Sequence, residues 1–368
     1  MKRIPYVDLA GQHRALKADL LAAAGRVIDS GQFILGPEVA EFEAAFAALH
    51  GVKHAVGVAN GTDALTLTLR ALGVGPGDEV VTAANSFVAS ASCAALVGAT
   101  PVLADVRADY NIDPKAVERA LTKKTKVLLP VHLTGRPADM DALSDLAKRK
   151  GLLIVEDAAQ AVLAGYKGRK VGSFGAAGCF SLHPLKTLNA LGDGGVITTD
   201  DAALAEKLRV LRNLGLATRE NCVTFSGNSR LDTLQAAMLL VKLKHLAAWT
   251  EARRRHAAAY QKALAGVPGL VVPVDAPGEH AVYHTFIVAS EKRDALKAFL
   301  SEHGVDTAVH YPVPIHLQDA AKALGWKPGA FPEAERQAGR ILSLPVYPEL
   351  SDEDRDRVAA LIREFHTR

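Results

Sequence analysis

The sequence predicts an α/β protein built on a mostly parallel sheet, and its texture carries that prediction. Short, continuously apolar runs at 54–59, 79–83, 100–104, 125–131 and 152–156 alternate with helix-like stretches at 62–72, 87–98, 114–121 and 138–150. Strands that are apolar on both faces and separated by helices belong to parallel sheets covered on both sides. Length adds a second layer of organisation. At 368 residues the chain exceeds the usual single core, so a large domain over 1–245 and a smaller C-terminal α+β domain over 246–368 are expected.

The remaining elements follow in order. Leu16, Leu20, Ala24, Val27 and Ile28 fall on one helical stripe that breaks at Ser30-Gly31, and Val39, Phe42, Phe46 and Leu49 repeat the pattern after Gly36-Pro37. Two further strands, 178–182 and 195–199, flank a polar segment that contains glycines. A single Ala-, Leu-, Lys- and Arg-rich helical region is expected from about Leu231 to Leu264, bridging the two domains. Beyond Pro268 come a strand at 282–289, a helix at 291–303, a Pro-rich run at 311–316 and a helix at 352–366, with Ser351 as its N-cap.

Composition narrows the function. Lys and Arg total 43 against 40 Asp and Glu, a net charge of +3, which argues against a dedicated nucleic-acid or membrane-surface binder. Cys93, Cys179 and Cys222 are scattered and odd in number, so neither a disulfide framework nor a zinc ribbon is expected. The N-terminus lacks the apolar core of a signal peptide, and no apolar run is long enough to span a bilayer. A cytoplasmic location is expected.

Three segments can carry chemistry. Asn60-Gly61-Thr62-Asp63 follows a strand and opens a helix. Gly61 would admit a close ligand, Thr62 offers a hydroxyl, and free N–H groups at the helix start suit a phosphate; an ordinary helix cap is the plainer reading. Glu156-Asp157-Ala158-Ala159-Gln160 lies just past a strand, at the end of a parallel sheet where ligands bind, although Asp157 would equally serve as a helix cap. Phe180-Ser181-Leu182-His183-Pro184-Leu185-Lys186 precedes the turn Gly192-Asp193-Gly194-Gly195. A lysine held near a crevice loses its proton more easily and can bond to an aldehyde, whereas most lysines are simply solvated. Together, a phosphate cradle, a carboxylate and such a lysine are what pyridoxal 5′-phosphate (PLP) requires of a protein. Phe87, opening a helix after another strand, could stack on the cofactor ring or belong to the core.

In order along nearly the whole chain, GQFILGPEVAEFE, NGTDALTLTLRALGVGPGDEV, NSFVAS, VEDAAQA, FSLHPLKTLNALGDGG, GNSRLDTLQAA, HYPVPIHLQ and LPVYPELSDED resemble the DegT/DnrJ/StrS family of PLP-dependent, fold-type-I sugar aminotransferases. The resemblance implies that Lys186 bonds covalently to PLP and moves the proton, and that Asp157 contacts the pyridine nitrogen. It implies that Gln160 reaches the ring hydroxyl, that Phe87 stacks on the ring, and that Gly61, Thr62 and Ser181 bind the phosphate. Asn228 is implied to reach the phosphate of the neighbouring subunit, making a homodimer with shared sites. L-glutamate is the implied amino donor and a keto-sugar, usually nucleotide-linked, the acceptor, in amino- or deoxysugar biosynthesis for a surface polysaccharide or a glycosylated metabolite. Leu182, Ser229 and Asp193 depart from residues frequent in the family. The Gly192-Asp193-Gly194-Gly195 form leans toward a 3-keto substrate. A free keto- or aldehydo-sugar acid as acceptor, and a regulator that binds PLP without catalysis, stay open as alternatives.

His132, His183, His310 and His316 lack cysteines or paired carboxylates at ligand spacing, so no metal is expected. His183, His310 and His316 are instead candidates for substrate contact. The run Arg253-Arg254-Arg255 reads as a solvated helix face. An amino-acid aminotransferase would need a carboxylate clamp, and none is identifiable in the sequence.

Overall fold

The computed structural model describes residues 3–367. The chain enters through α1 (Leu9–Ser30), which Gly31 closes in the left-handed conformation with φ 66°, and α2 (Pro37–His50), which starts with proline at its first turn. There follow β1 (His54–Val58), α3 (Gly61–Ala71), β2 (Glu79–Ala83), α4 (Ala89–Leu96), β3 (Thr100–Ala104), α5 (Pro114–Ala120), β4 (Thr125–Leu129), α6 (Met140–Lys150) and β5 (Leu153–Asp157). After the short strands β6 (Gly165–Tyr166) and β7 (Arg169–Lys170) come β8 (Ala177–Ser181), β9 (Gly195–Thr199) and α7 (Ala202–Arg212).

Seven of these strands form one sheet in the order β1-β9-β8-β5-β4-β2-β3. The apolar runs read from the sequence are its members. Only β9 runs against its neighbours, pairing antiparallel with both β1 and β8, so the carboxyl ends of β1, β2, β4, β5 and β8 share one edge. Successive residues serve opposite faces, as the pleat requires. Val80 joins one core with Val127, Val155 and Cys179, while Val81 joins another with Leu128, Met140 and Ile154. A third core sets Phe42 and Phe46 of α2 against Phe180 of β8. Each such side chain contributes about 2 kcal/mol on removal from water.

The hairpin β10 (Leu216–Thr218) and β11 (Asn221–Cys222) precedes α8 (Thr233–Leu243) and α9 (Leu246–Leu264). The continuous helix expected over 231–264 is thus two helices. The break falls where His245 N donates to Lys242 O, a tightened final turn that does not propagate. The C-terminal part adds β12 (Leu270–Val271), β13 (Glu279–His280), which pairs antiparallel with β6, β14 (Phe286–Ser290), α10 (Arg293–Glu302), α11 (Pro332–Ala338), β15 (Ile341–Leu344) and α12 (Asp352–Thr367). Its antiparallel sheet, β12-β14-β15, packs Phe286, Val288 and Leu342 against Tyr260, Leu300 and Ile362. The strand expected at 282–289 begins only at Phe286, because Tyr283 adopts a φ of 49° that extended backbone does not allow. Ser351 caps α12 as expected, accepting from Asp354 N at 3.1 Å. The N-terminal segment packs on this C-terminal part: Ile4 pairs with Val305 and is fully buried beside Leu300. Among the described residues, no helix is long and apolar enough to cross a membrane.

Candidate active site

The shared carboxyl edge opens into a cavity of about 630 Å³. Parallel strands direct their ends, and the loops that follow, to this edge, so segments remote in sequence converge. Strand β1 leads into Asn60, whose Oδ1 accepts from Asp63 N at 2.8 Å and caps α3. Gly61 begins that helix hard against the end of β8. A Cβ at position 61 would stand 2.7 Å from Ser181 Cβ and 3.1 Å from its Cα, so only glycine lets the helix start approach Ser181. Gly61, Thr62 and Ser181 all line the cavity, forming a cradle of backbone N–H groups and hydroxyls suited to phosphate.

Asp157 ends β5 and is 4% exposed. Its Oδ2 accepts from Ser90 Oγ at 2.7 Å and its Oδ1 from Ala159 N at 3.1 Å. Neighbouring Glu156, fully buried, holds the loop behind it. Glu156 Oε1 accepts from Phe174 N and Gly175 N, and Oε2 from Gly172 N at 2.7 Å and His132 Nε2 at 3.0 Å. His132 Nδ1 accepts from Ala138 N, so the ring proton sits on Nε2. His132 is a structural brace.

Lys186 sits in the loop after β8, its N–H donating to His183 O at 2.8 Å. Asn189 Nδ2 donates to Lys186 O at 3.1 Å, and buried Lys242 Nζ donates to Asn189 O at 2.8 Å and Oδ1 at 2.5 Å. The loop is closed upon itself, which fixes the lysine. Burial pushes the Lys186 amine down to about 8, with Asp157 opposing. Burial pushes Asp157 up, against the hydrogen bonds from Ser90 and Ala159 and the charge of Lys186. A desolvated carboxylate of this kind favours a cationic N–H opposite it.

Phe87, half exposed, lines the cavity with its ring 5.6 Å from that of Tyr311. Gln160 is oriented by Thr134 N, which donates to its Oε1 at 2.6 Å, and by Tyr311, whose hydroxyl accepts from its Nε2 at 3.2 Å. His183, Asp193 and His310 complete the predicted lining. Two predicted residues lie elsewhere. His316 is buried away from the cavity, with Nε2 2.9 Å from Glu335 Oε1 and its ring against Phe331; its substrate role is corrected to a packing one. Asn228 is exposed on the loop after β11 and does not line the cavity of its own chain.

Sequence reasoning missed several lining residues: Tyr6, Arg253, His284, Tyr311 and Tyr347. Arg253 corrects the reading of the arginine run. It is 5% exposed, on the stripe of α9 that also buries Leu246, Thr250, Ala257 and Tyr260. The signal was present as a lone cation at a buried helical phase. Among the described residues, no cluster of three or more His, Cys, Asp or Glu could hold a metal ion.

The fold and this site define a PLP-dependent aminotransferase of fold type I. The residues present fit the cofactor: the cradle that Gly61 leaves open, a buried carboxylate and a desolvated lysine occupy one cavity. The chain belongs to the DegT/DnrJ/EryC1/StrS aminotransferase family, whose model matches residues 14–363. It is 47% identical to a dTDP-3-amino-3,4,6-trideoxy-α-D-glucose transaminase of Streptomyces venezuelae, over 100% of this chain and 97% of the relative. It is also 46% identical to a pleiotropic regulatory protein of Geobacillus stearothermophilus, over 99% of this chain and 98% of that one. The crystal structure of S. venezuelae DesV in complex with a ketimine intermediate superposes with a TM-score of 0.98 at 47% identity, covering all of both chains. NtdA from Bacillus subtilis, solved with bound cofactor PMP, matches with a TM-score of 0.93 at 29% identity over 100% of this chain and 86% of its own.

Proposed function

We propose that the protein transfers an amino group from L-glutamate to the third carbon of a nucleotide-linked keto-sugar, in the cytoplasm and as a homodimer. The observation that carries the reading is the placement of Lys186 and Asp157 in one cavity, each under the influence of the other's charge. When bound, PLP supplies an aldehyde that combines with amines and a ring that draws electrons from the bond broken at the donor's α-carbon. Lys186 supplies the rest of the chemistry. With its pKa near 8, an appreciable fraction of its amine is neutral at neutral pH, and a neutral amine both attacks a carbonyl and carries a proton. The same Nζ removes the donor's α-proton in one half-reaction and returns a proton to the sugar carbon in the other. Asp157 would hold a positive charge at the ring nitrogen, and Gly61, Thr62 and Ser181 would hold the phosphate.

Exposed Asn228, together with exposed Phe33, Ile34 and Phe225, supports a subunit interface. The 3-amino product in the name of the Streptomyces relative and the Gly192-Asp193-Gly194-Gly195 turn both support the third carbon. The regulatory name of the Geobacillus relative keeps a second reading, PLP binding without catalysis, which a half-reaction with glutamate separates from ours.

Lys186→Ala is expected to lack the visible absorption band that sodium borohydride abolishes in the parent protein. Asp157→Asn should retain cofactor and lose most turnover; parental turnover in that variant would overturn the role of Asp157. Initial rates with glutamate and a nucleotide keto-sugar should give parallel double-reciprocal lines.

A further inference from the structure

We propose that Arg253 is the residue that takes a carboxylate of the amino donor. The proposal rests on the aminotransferase reading above and adds to it the clamp that the sequence did not disclose. Arg253 projects from α9 into the cavity wall and is 95% removed from solvent, being 5% exposed. An arginine so placed must be paired to be tolerated, yet its contacts within the chain are poor. Its Nη1 donates to Tyr283 O at 3.4 Å and Val346 O at 3.5 Å, and its Nε is buried with no partner. Those distances lie beyond the normal range for N–H···O bonds. The negative charge of Glu349 acts on it against the effect of burial. Nη1 and Nε thus lack a close partner in the chain, and the guanidinium can take a planar anion.

A second buried polar atom without a partner belongs to another residue of the cavity lining. His284 lines the cavity, and its Nδ1 has no hydrogen-bond partner. Burial, reinforced by the charges of Lys186 and Arg253, holds this imidazole neutral. A neutral imidazole keeps one N–H to give. Arg253 and His284 thus offer donors to one occupant of the cavity that Lys186 also lines, the amine against which the donor's α-carbon must be positioned. Two anions are chemically eligible, the donor's carboxylate and the diphosphate of the nucleotide. The depth of Arg253 selects the carboxylate, which is small enough to be enclosed, whereas a nucleoside diphosphate carries a bulky base and sugar.

The test is calorimetric titration of the purified holoenzyme with glutarate, a dicarboxylate that cannot react, and separately with uridine and thymidine diphosphate. The parent should bind glutarate. Arg253→Gln should bind it about tenfold more weakly or worse, with nucleotide affinity unchanged, and should raise KM for glutamate without raising KM for the sugar. Arg253→Lys keeps the charge and loses the fork, so it should weaken glutarate by about threefold or more; it decides the matter if Arg253→Gln does not fold. Equal glutarate affinity in parent and variant, no glutarate binding by the parent, or a loss confined to the nucleotides would overturn the proposal. A parent that binds glutarate through Arg253 but forms no 2-oxoglutarate from glutamate would instead overturn the functional reading and leave this one standing.

Discussion

Ser90 Oγ lies 2.7 Å from Asp157 Oδ2, with Ser86 Oγ in turn 2.8 Å from Ser90 Oγ. This chain of hydroxyls stabilises the ionised carboxylate in a place where burial disfavours it. A hydrogen bond to a charged group contributes about 1.5–3 kcal/mol. Ser90→Ala should therefore raise the proton affinity of Asp157 and lower kcat by about tenfold or more, while the protein still carries its cofactor. Steady-state assay of 2-oxoglutarate release, beside the visible spectrum, checks this; an unchanged kcat would show that Ser90 does not matter to the carboxylate.

The close approach of Gly61 to Ser181 makes a steric prediction. Gly61→Ala puts a methyl group 2.7 Å from Ser181 Cβ, and overpacking of that degree costs about 1–3 kcal/mol. The strain falls on the phosphate cradle, so the dissociation constant for PLP should rise by about tenfold with little change in the far-ultraviolet circular dichroism. Equilibrium titration of the apoprotein measures it, and parental affinity would remove Gly61 from the cradle.

The depressed pKa of Lys186 gives a pH dependence. Burial lowers the amine to about 8, so its neutral, reactive form grows as pH rises through 8 and is nearly complete about one unit above. The rate at which apoprotein captures PLP covalently should rise over that interval and then level off. Stopped-flow absorbance across pH 6–10 follows it. A rate still climbing steeply toward pH 10 would indicate an ordinary solvated lysine.

Glu156 makes a stability prediction. Its carboxylate accepts from three backbone N–H groups and from His132, all beside the strand end that carries Asp157. Glu156→Ala leaves those buried donors unpaired, at about 1–3 kcal/mol each where water cannot reach. Unfolding in urea should show a loss of at least ~3 kcal/mol, and a loss below ~1 kcal/mol would mean that the loop re-pairs elsewhere.

The sheet was legible because both of its faces are covered. Each strand is apolar throughout, and β2, β3 and β9 fall at the expected residues. The site was legible where it sits at strand ends, since Asp157, Ser181 and the opening of α3 are placed by topology once the strands are known. Residues outside that logic were not. Tyr6 reaches the cavity from the N-terminal segment, and Tyr311 and Tyr347 from loops of the C-terminal part, and no periodicity describes such approaches. Arg253 was hidden by its neighbours, because three consecutive arginines suggest a solvated face and only the phase of α9 shows that the first points inward. His316 failed for the opposite reason: its spacing from His310 suggested a shared role, but the backbone turns it toward Glu335.

The most direct measurement is to reduce the holoenzyme with sodium borohydride, digest it, and locate the phosphopyridoxyl group by peptide mass spectrometry. The account predicts the label on Lys186, in the peptide that follows Phe180-Ser181-Leu182-His183, and its loss when unlabelled apoprotein is treated alike. A label on Lys242 or any other lysine, or none on a protein that binds PLP, would contradict it.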